Sequence, residues 1–303
     1  MYPKCGAFIA FIITIFFSCL GNPKIKAKNA QPNIVTKKAT ASIIQLESFP
    51  IIDSLHKHLA IAGTIQHSYS ESDTIDRVFE NNDAIAKDLE TALLDTNITK
   101  GDLVKLLSHP SLGIVHSDDK WLWIFNWYEN TGGSFKSNIS ILLYKGGNGK
   151  YRLSSDESGG LADTENNVFQ SGGAGFDSIY KLPSKHKSLY LCMGNGIGCT
   201  TCIYSNAVVV ELTKNGINFN YPAFQQGMNK DDYDYTDNPS SFMLAARWGN
   251  IEEFGYNPKT RKLSYVYLTD DNTPIQREEG EEQERIERNL KFNGKEFIGK
   301  GLE

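Results

Sequence analysis

The 303-residue chain has no Gly-x-Ser-x-Gly elbow, no His-Glu-x-x-His helix and no glycine loop ending in Gly-Lys-Ser/Thr. These absences remove the nucleophile elbow, the zinc-protease helix and the phosphate-cradling loop, each of which needs those residue types at those spacings. An excess of base is also missing. After residue 40 the sequence holds 25 lysines and arginines against all 36 acids, a formal charge of −11. Such a body argues against nucleic acid as a partner. Cysteine is scarce, with Cys5 and Cys19 near the N-terminus and only Cys192, Cys199 and Cys202 beyond them. No internal repeat is clear enough to count units.

One apolar run is present, and it comes first. Lys4 precedes an uncharged stretch from Cys5 to Leu20. A secretory signal carries roughly 7–15 apolar residues and a spanning helix about 20, so this run lies nearer the signal. Ser18-Cys19 resembles a bacterial lipobox, where cleavage precedes a cysteine that then receives acyl chains. Phe16 and Phe17 depart from the usual leucine and small residue, which leaves cleavage after Ala27 and an uncleaved anchor as alternatives. The expectation is a signal at 1–18, lipidation at Cys19 and a tether over 19–47. Lys24, Lys26, Lys28, Lys37 and Lys38 stand in that tether, with no acid before residue 41. It has little to bury and is expected to be flexible. Near anionic headgroups each lysine contributes about 1 kcal/mol. A solvated linker has the same composition.

Export implies oxidising conditions, so a disulfide is expected among Cys192, Cys199 and Cys202, with one thiol left over. Cys199-Thr200-Thr201-Cys202 has redox spacing. A thioredoxin-type site, however, places its first cysteine at a helix N-terminus. Here Ile203 to Leu212, with Val208-Val209-Val210, reads as a strand. Three thiols without a nearby histidine also make a poor zinc set.

Helical spacing runs from about 48 to 110. Ile51, Ile52, Leu55, Leu59 and Ala62 form one stripe; Ile75, Val78, Phe79, Ala86, Leu89 and Leu93 form another, with Asn81-Asn82-Asp83 as an expected interruption. Thr99 to Asp102 reads as a capping box before a short helix that His109-Pro110 closes. From residue 111 the pattern turns to strands: Leu112 to His116, Trp121 to Tyr128, Ile139 to Lys145 and Tyr151 to Ser154, separated by glycine, asparagine and aspartate turns. Lys214-Asn215-Gly216, Asn257 to Thr260 and Asn293-Gly294 signal further hairpins. The expected class is α+β, a short N-terminal helical region over 48–110 and a large antiparallel β domain over 111–303. Sandwich, barrel and incomplete propeller are all compatible with it.

Several segments are candidates for chemistry. Alternation places Trp121, Trp123, Phe125 and Trp127 on one strand face, a possible stacking platform for sugar rings. The opposite face is also largely apolar, so a central strand covered on both sides is the expected state, with Asn126 in need of partners. Asp231, Asp232, Asp234 and Asp237 supply oxygen ligands that suit calcium. The spacing departs from the EF-hand, and an acidic surface loop explains it more simply. Glu281 with Arg285 and Glu284 with Arg288 have the spacing to pair across a helical turn. Gly194 to Gly198 reads as a hairpin loop. His56 and His58 fall on different helix faces, and His116 lies close to Asp118 and Asp119, with no nucleophile in sequence beside it. No cofactor is expected.

Trp127 to Gly133, Asp177 to Pro183 before Tyr190-Leu191, and Phe254 to Pro258 through Phe292 to Phe297 resemble a loose group of exported bacterial β-rich proteins without assigned activity. That resemblance covers roughly Trp121 to Ile298. It implies a secreted or lipid-anchored β domain and transfers no site residue. The function expected from these observations is an exported, lipid-anchored, non-catalytic binding or structural module of the bacterial cell envelope. It would touch the membrane through its N-terminal anchor or uncleaved signal and bind an envelope protein or glycan. An envelope hydrolase using carboxylates and a carbohydrate-binding β domain are the rivals.

Overall fold

A computed structural model describes residues 49–64, 72–95, 104–105, 107–131, 136–155, 172–224, 234–235, 239–247, 249–269 and 284–299. The signal, the tether, Cys5, Cys19 and the Thr99 to Asp102 box lie outside them. Two helices come first, α1 (Pro50–Ala62) and α2 (Ser72–Leu94). A four-stranded meander follows, β1 (Gly113–His116), β2 (Leu122–Tyr128), β3 (Asn138–Lys145) and β4 (Tyr151–Ser155), paired in that order. The second sheet contains β5 (Gly175–Leu182), β6 (Ser188–Ile197), β7 (Cys202–Leu212), β8 (Ile217–Asn218), β9 (Asp234–Tyr235) and β10 (Ser241–Arg247). Its order is β5-β6-β7-β10-β9, and β8 pairs with the far end of β7. The third is another meander, β11 (Ile251–Asn257), β12 (Lys262–Leu268), β13 (Arg285–Phe292) and β14 (Phe297–Gly299). Every named strand pair is antiparallel. The expected α+β class with a β-rich body is therefore the observed one. Among the described residues no sheet closes into a barrel, which speaks against that alternative.

Strand alternation explains the stacking of these layers. On β2, Trp123, Phe125 and Trp127 join Ile141 and Leu143 of β3 in a core shared with Ile52, Leu55, Leu59, Ile85, Leu89 and Leu93 of the helices. The other face of the same strands, Leu122, Ile124, Leu142 and Tyr144, packs on Ile179, Tyr190, Cys192, Val208 and Val210 of the second sheet. That sheet's opposite face, with Leu191, Val209, Phe242 and Leu244, meets Tyr256, Leu263, Tyr265, Phe292 and Phe297 of the third. Helices, first sheet, second sheet and third sheet thus form successive layers within Glu47–Glu303. Strands that are apolar on both faces occupy the inner layers, because neither face reaches water. The outer face of the third sheet presents Lys262, Glu287 and Lys291 to solvent.

Four local expectations are corrected. Asn81-Asn82-Asp83 does not interrupt α2: the Asn81 amide donates to the His58 carbonyl (3.1 Å) and the Asn82 amide to the Glu129 carbonyl (2.7 Å). Tertiary hydrogen bonds outweigh the weak helix propensity of asparagine. Ile75 and Phe79 are exposed, and the buried stripe of α2 is Val78, Ile85, Leu89, Ala92 and Leu93. Gly194 to Ile197 belong to β6 rather than to a loop. A side chain at Gly194 would fall on the backbone of Gly175 and Phe176, and one at Gly196 on the Tyr204 ring, so glycine here permits close approach. The turn itself is Gly198 to Thr201. Residues 285–292 form β13, so Glu284 and Arg288 are not a helical pair; Arg285 Nε instead meets the Glu252 carboxylate at 2.8 Å.

Candidate functional site

The meanders run in step, which gathers their hairpin turns at one pole. The 117–121 and 146–150 turns cap the first sheet, 183–187 and 213–216 the second, and 258–261 and 293–296 the third. Contacts across the layers confirm the common end. The Arg152 guanidinium donates to the Asn215 carbonyl at 2.5 Å, Lys181 meets Asp119, and Tyr221, whose ring lies beneath Lys187, donates to the Lys295 carbonyl at 2.9 Å. Side chains close several turns. Asn257 Oδ1 accepts from the N–H groups of Lys259 and Thr260, and Asn293 Oδ1 from those of Lys295 and Glu296. Thr213 Oγ1 accepts likewise from the N–H groups of Asn215 and Gly216, so short polar side chains close these turns.

The six turns contain eight bases, Lys120, Lys150, Lys185, Lys187, Lys214, Lys259, Arg261 and Lys295, against three acids, Asp118, Asp119 and Glu296. The two strand residues on each side of them add Lys145, Arg152, Lys181, Lys262 and Lys291 against Glu211 alone. Lysines 120, 150, 185, 214, 259, 262, 291 and 295 are exposed and form no ion pair among the described residues. A net-acidic chain therefore has a strongly basic end. By sequence, segments 156–171 and 270–283 hold ten acids and one base; both lie outside the described residues.

Asp119 organises the centre of this pole. Its carboxylate accepts from Ser117 Oγ (2.7 Å), the Trp121 N–H (3.1 Å), Lys181 Nζ (2.8 Å) and the Tyr190 hydroxyl (2.9 Å). Partial burial pushes its pKa up, but the bonds from Lys181, Ser117, Trp121 and Tyr190 together hold it below the ordinary carboxylate value. Burial first, then the bond to Asp119 and its charge, drive the Tyr190 phenol far upward, so it remains a donor. Two ammonium groups approach the Trp121 ring, Lys145 Nζ at 5.2 Å and Lys181 Nζ at 5.1 Å from its centre.

The predicted site residues separate. Trp121 is 37% exposed, but Trp123 and Trp127 are 4% and 2% exposed beneath the helices. A stacking ligand needs open ring faces, so the three-tryptophan platform does not exist and the covered-strand expectation holds. Asn126 is buried, and its amide donates to the Phe176 carbonyl at 3.1 Å, linking the first and second sheets. Cys199 and Cys202 form a disulfide across the β6–β7 turn, and Cys192 is the leftover thiol, buried in the core. Burial pushes the Cys192 thiol far above its ordinary pKa, which suppresses the reactive thiolate. Cys192 is thus expected to resist iodoacetamide in the native protein and to be alkylated on unfolding in denaturant. Peptide mapping that finds native alkylation at Cys192 would contradict this packing. Of the calcium candidates, Asp231, Asp232 and Asp237 lie outside the described residues, as does the Asp234 side chain. Among the described residues no group of three or more metal-ligating side chains is placed to hold an ion.

His116 Nδ1 lies 3.0 Å from the Ser117 carbonyl and its ring packs on Trp123, so no His116–carboxylate pair forms. His58 pairs with Asp88 at 3.0 Å, and His56 faces His109 with ring centres 5.5 Å apart. A cleft of about 280 Å³ opens between edge strands β5 and β11, lined by Asp177, Ser178, Asn195, Phe254 and Tyr256 among others. Among the described residues Asp177 is its single carboxylate, held by Ser178 Oγ at 2.8 Å and the Asn195 amide at 3.2 Å. It lacks the two convergent acids that general acid–base hydrolysis uses.

Fold and site together define a layered antiparallel β protein with a helical cover and a basic turn pole. Comparison with models of known families, with curated proteins and with solved structures returned no match. The pole escaped sequence reading because its lysines are spread over 176 positions, from 120 to 295, and only the meander topology collects them. Lysine beside Asn-Gly or Pro in successive turns was the available signal.

Proposed function

We propose that this protein is an exported, lipid-anchored, non-catalytic binding module of the bacterial cell envelope, and that its basic turn pole receives an anionic envelope component. The observation that carries the reading is the concentration of thirteen bases against four acids at the pole of a chain whose formal charge is −5. Ser18-Cys19 and the lysine-rich stretch after it support the anchor. Among the described residues no helix is long and apolar enough to cross a membrane, so this reading assigns attachment to the N-terminal segment. The layered sheets supply a rigid support, since each turn is fixed by strands packed within the stack. On such a support the backbone of the turns is already ordered, so only the lysine side chains lose freedom on meeting a charged partner.

Intact-mass analysis of membrane-extracted protein tests the anchor. The expected species begins at Cys19 and carries an acyl mass increment; Cys19→Ala abolishes both the increment and the cleavage before residue 19. A soluble, unmodified chain beginning near Lys28 would overturn it.

A further inference from the structure

We infer that the anionic component met by the basic pole is the headgroup surface of an acidic phospholipid bilayer, against which the protein lies turn-end down. This assignment rests on the binding-module reading and gives its partner a chemical class. The charge is spread across turns of all three sheets, which matches a laterally extended array of negative groups better than a single ligand. The cleft between β5 and β11 carries Asp177 and none of the pole's lysines, so the pole's charge lies apart from it. Trp121, 37% exposed and approached by Lys145 and Lys181, gives the pole an aromatic ring beside two cations. Tryptophan and lysine together suit the headgroup region, where the amphipathic ring and the ammonium groups are both satisfied. An acyl chain at Cys19 would raise the local concentration of the pole at the same leaflet, so each weak contact becomes effective. Asp119 orients Lys181 beside the ring, while Lys185, Lys214 and Lys295, one from each of three turns, have no acid partner among the described residues.

The test uses the full chain carrying Cys19→Ser, so that no acyl group contributes, and cosedimentation with phosphatidylcholine vesicles with or without phosphatidylglycerol. The N-terminal segment contributes equally to every variant. The phosphatidylglycerol-dependent part of binding is expected to fall about fivefold for each lysine neutralised, roughly 100-fold for Lys185→Gln with Lys214→Gln and Lys295→Gln. It is also expected to weaken steeply between ~0.05 M and ~0.5 M salt. A control with Lys57→Gln, Lys87→Gln and Lys136→Gln, away from the pole, makes the same charge change and is expected to bind as the parent does. An unchanged circular dichroism melt confirms that both triple variants fold. Equal losses in the two triple variants, or equal binding to the two vesicle types, would overturn the lipid assignment. Pole-dependent binding to soluble alginate without binding to phosphatidylglycerol vesicles would replace lipid by an anionic glycan and leave the binding-module reading intact. The anchor is judged separately by the Cys19 mass.

Discussion

Trp127→Ala is expected to lower the unfolding free energy by about 3–5 kcal/mol, the range for truncating a large aromatic side chain in a core. Trp127 is 2% exposed and packs where β2 meets the helices. Two losses combine. The indole volume leaves a cavity that neighbouring Phe125, Ile141 and Leu89 cannot fill without moving backbone. The indole Nε1–H also donates to Asn82 Oδ1 at 3.1 Å, and Asn82 in turn donates to the Glu129 carbonyl, so its removal leaves a buried amide oxygen without that donor. Trp127→Phe restores most of the volume but not the hydrogen bond and is expected to recover more than half of the loss. Urea titration of the three proteins decides this; a Trp127→Ala change below about 1 kcal/mol would mean that the helices do not cover the first sheet as described.

Asp119→Ala is expected to cost about 2–3 kcal/mol near neutral pH, although the residue lies in a turn. Its four donors come from two turn residues and from β5 and β6, so the carboxylate joins the first sheet to the second. Tyr190 is fully buried, and losing its acceptor leaves a phenolic hydroxyl without a partner. Tyr190→Phe added to Asp119→Ala removes that orphan and is expected to recover part of the loss, giving a coupling energy well above zero in a double-mutant cycle. The pH dependence follows from the direction of the shift. The folded pKa of Asp119 is depressed, so its contribution is present above the unfolded carboxylate value of about 4 and is lost as pH falls through the lower folded value. The parent should therefore lose stability relative to Asp119→Ala between pH ~5 and ~2. Parallel stability curves across that window would sink the assignment.

The pole has the opposite character from this knot. Its unpaired lysines add little to stability, since exposed charges are well solvated, and like charges gathered at one end repel. A surface that gains nothing for the fold from its charge is free to be used for binding, which is the ground of the proposed role.

Much of the architecture was legible from local pattern. β1 to β4 begin and end within about a residue of the runs of alternation and turn residues, because two-residue periodicity and glycine or asparagine turns are properties of adjacent residues. α1 follows its apolar spacing for the same reason. The errors fall where distant residues decide. Asn81 and Asn82 look like helix breakers until His58 and Glu129 are placed against them. Gly194 and Gly196 look like a loop until β5 and Tyr204 press on them from either side. The tryptophan row was ambiguous between platform and core, since alternation reveals which residues share a face and never what covers it.

The amino-acid order alone determined the α+β class, most of the hairpin positions, the count of three cysteines in the body, the net-acidic charge and the form of the N-terminal segment. Only tertiary structure decided that Cys199 pairs with Cys202 while Cys192 is sealed in the core, that both faces of β2 are covered, and that lysines from six turns share one pole. The physical reason is range: propensity and periodicity act over a few residues, whereas burial, pairing and electrostatic potential sum over groups that the chain brings together from far apart.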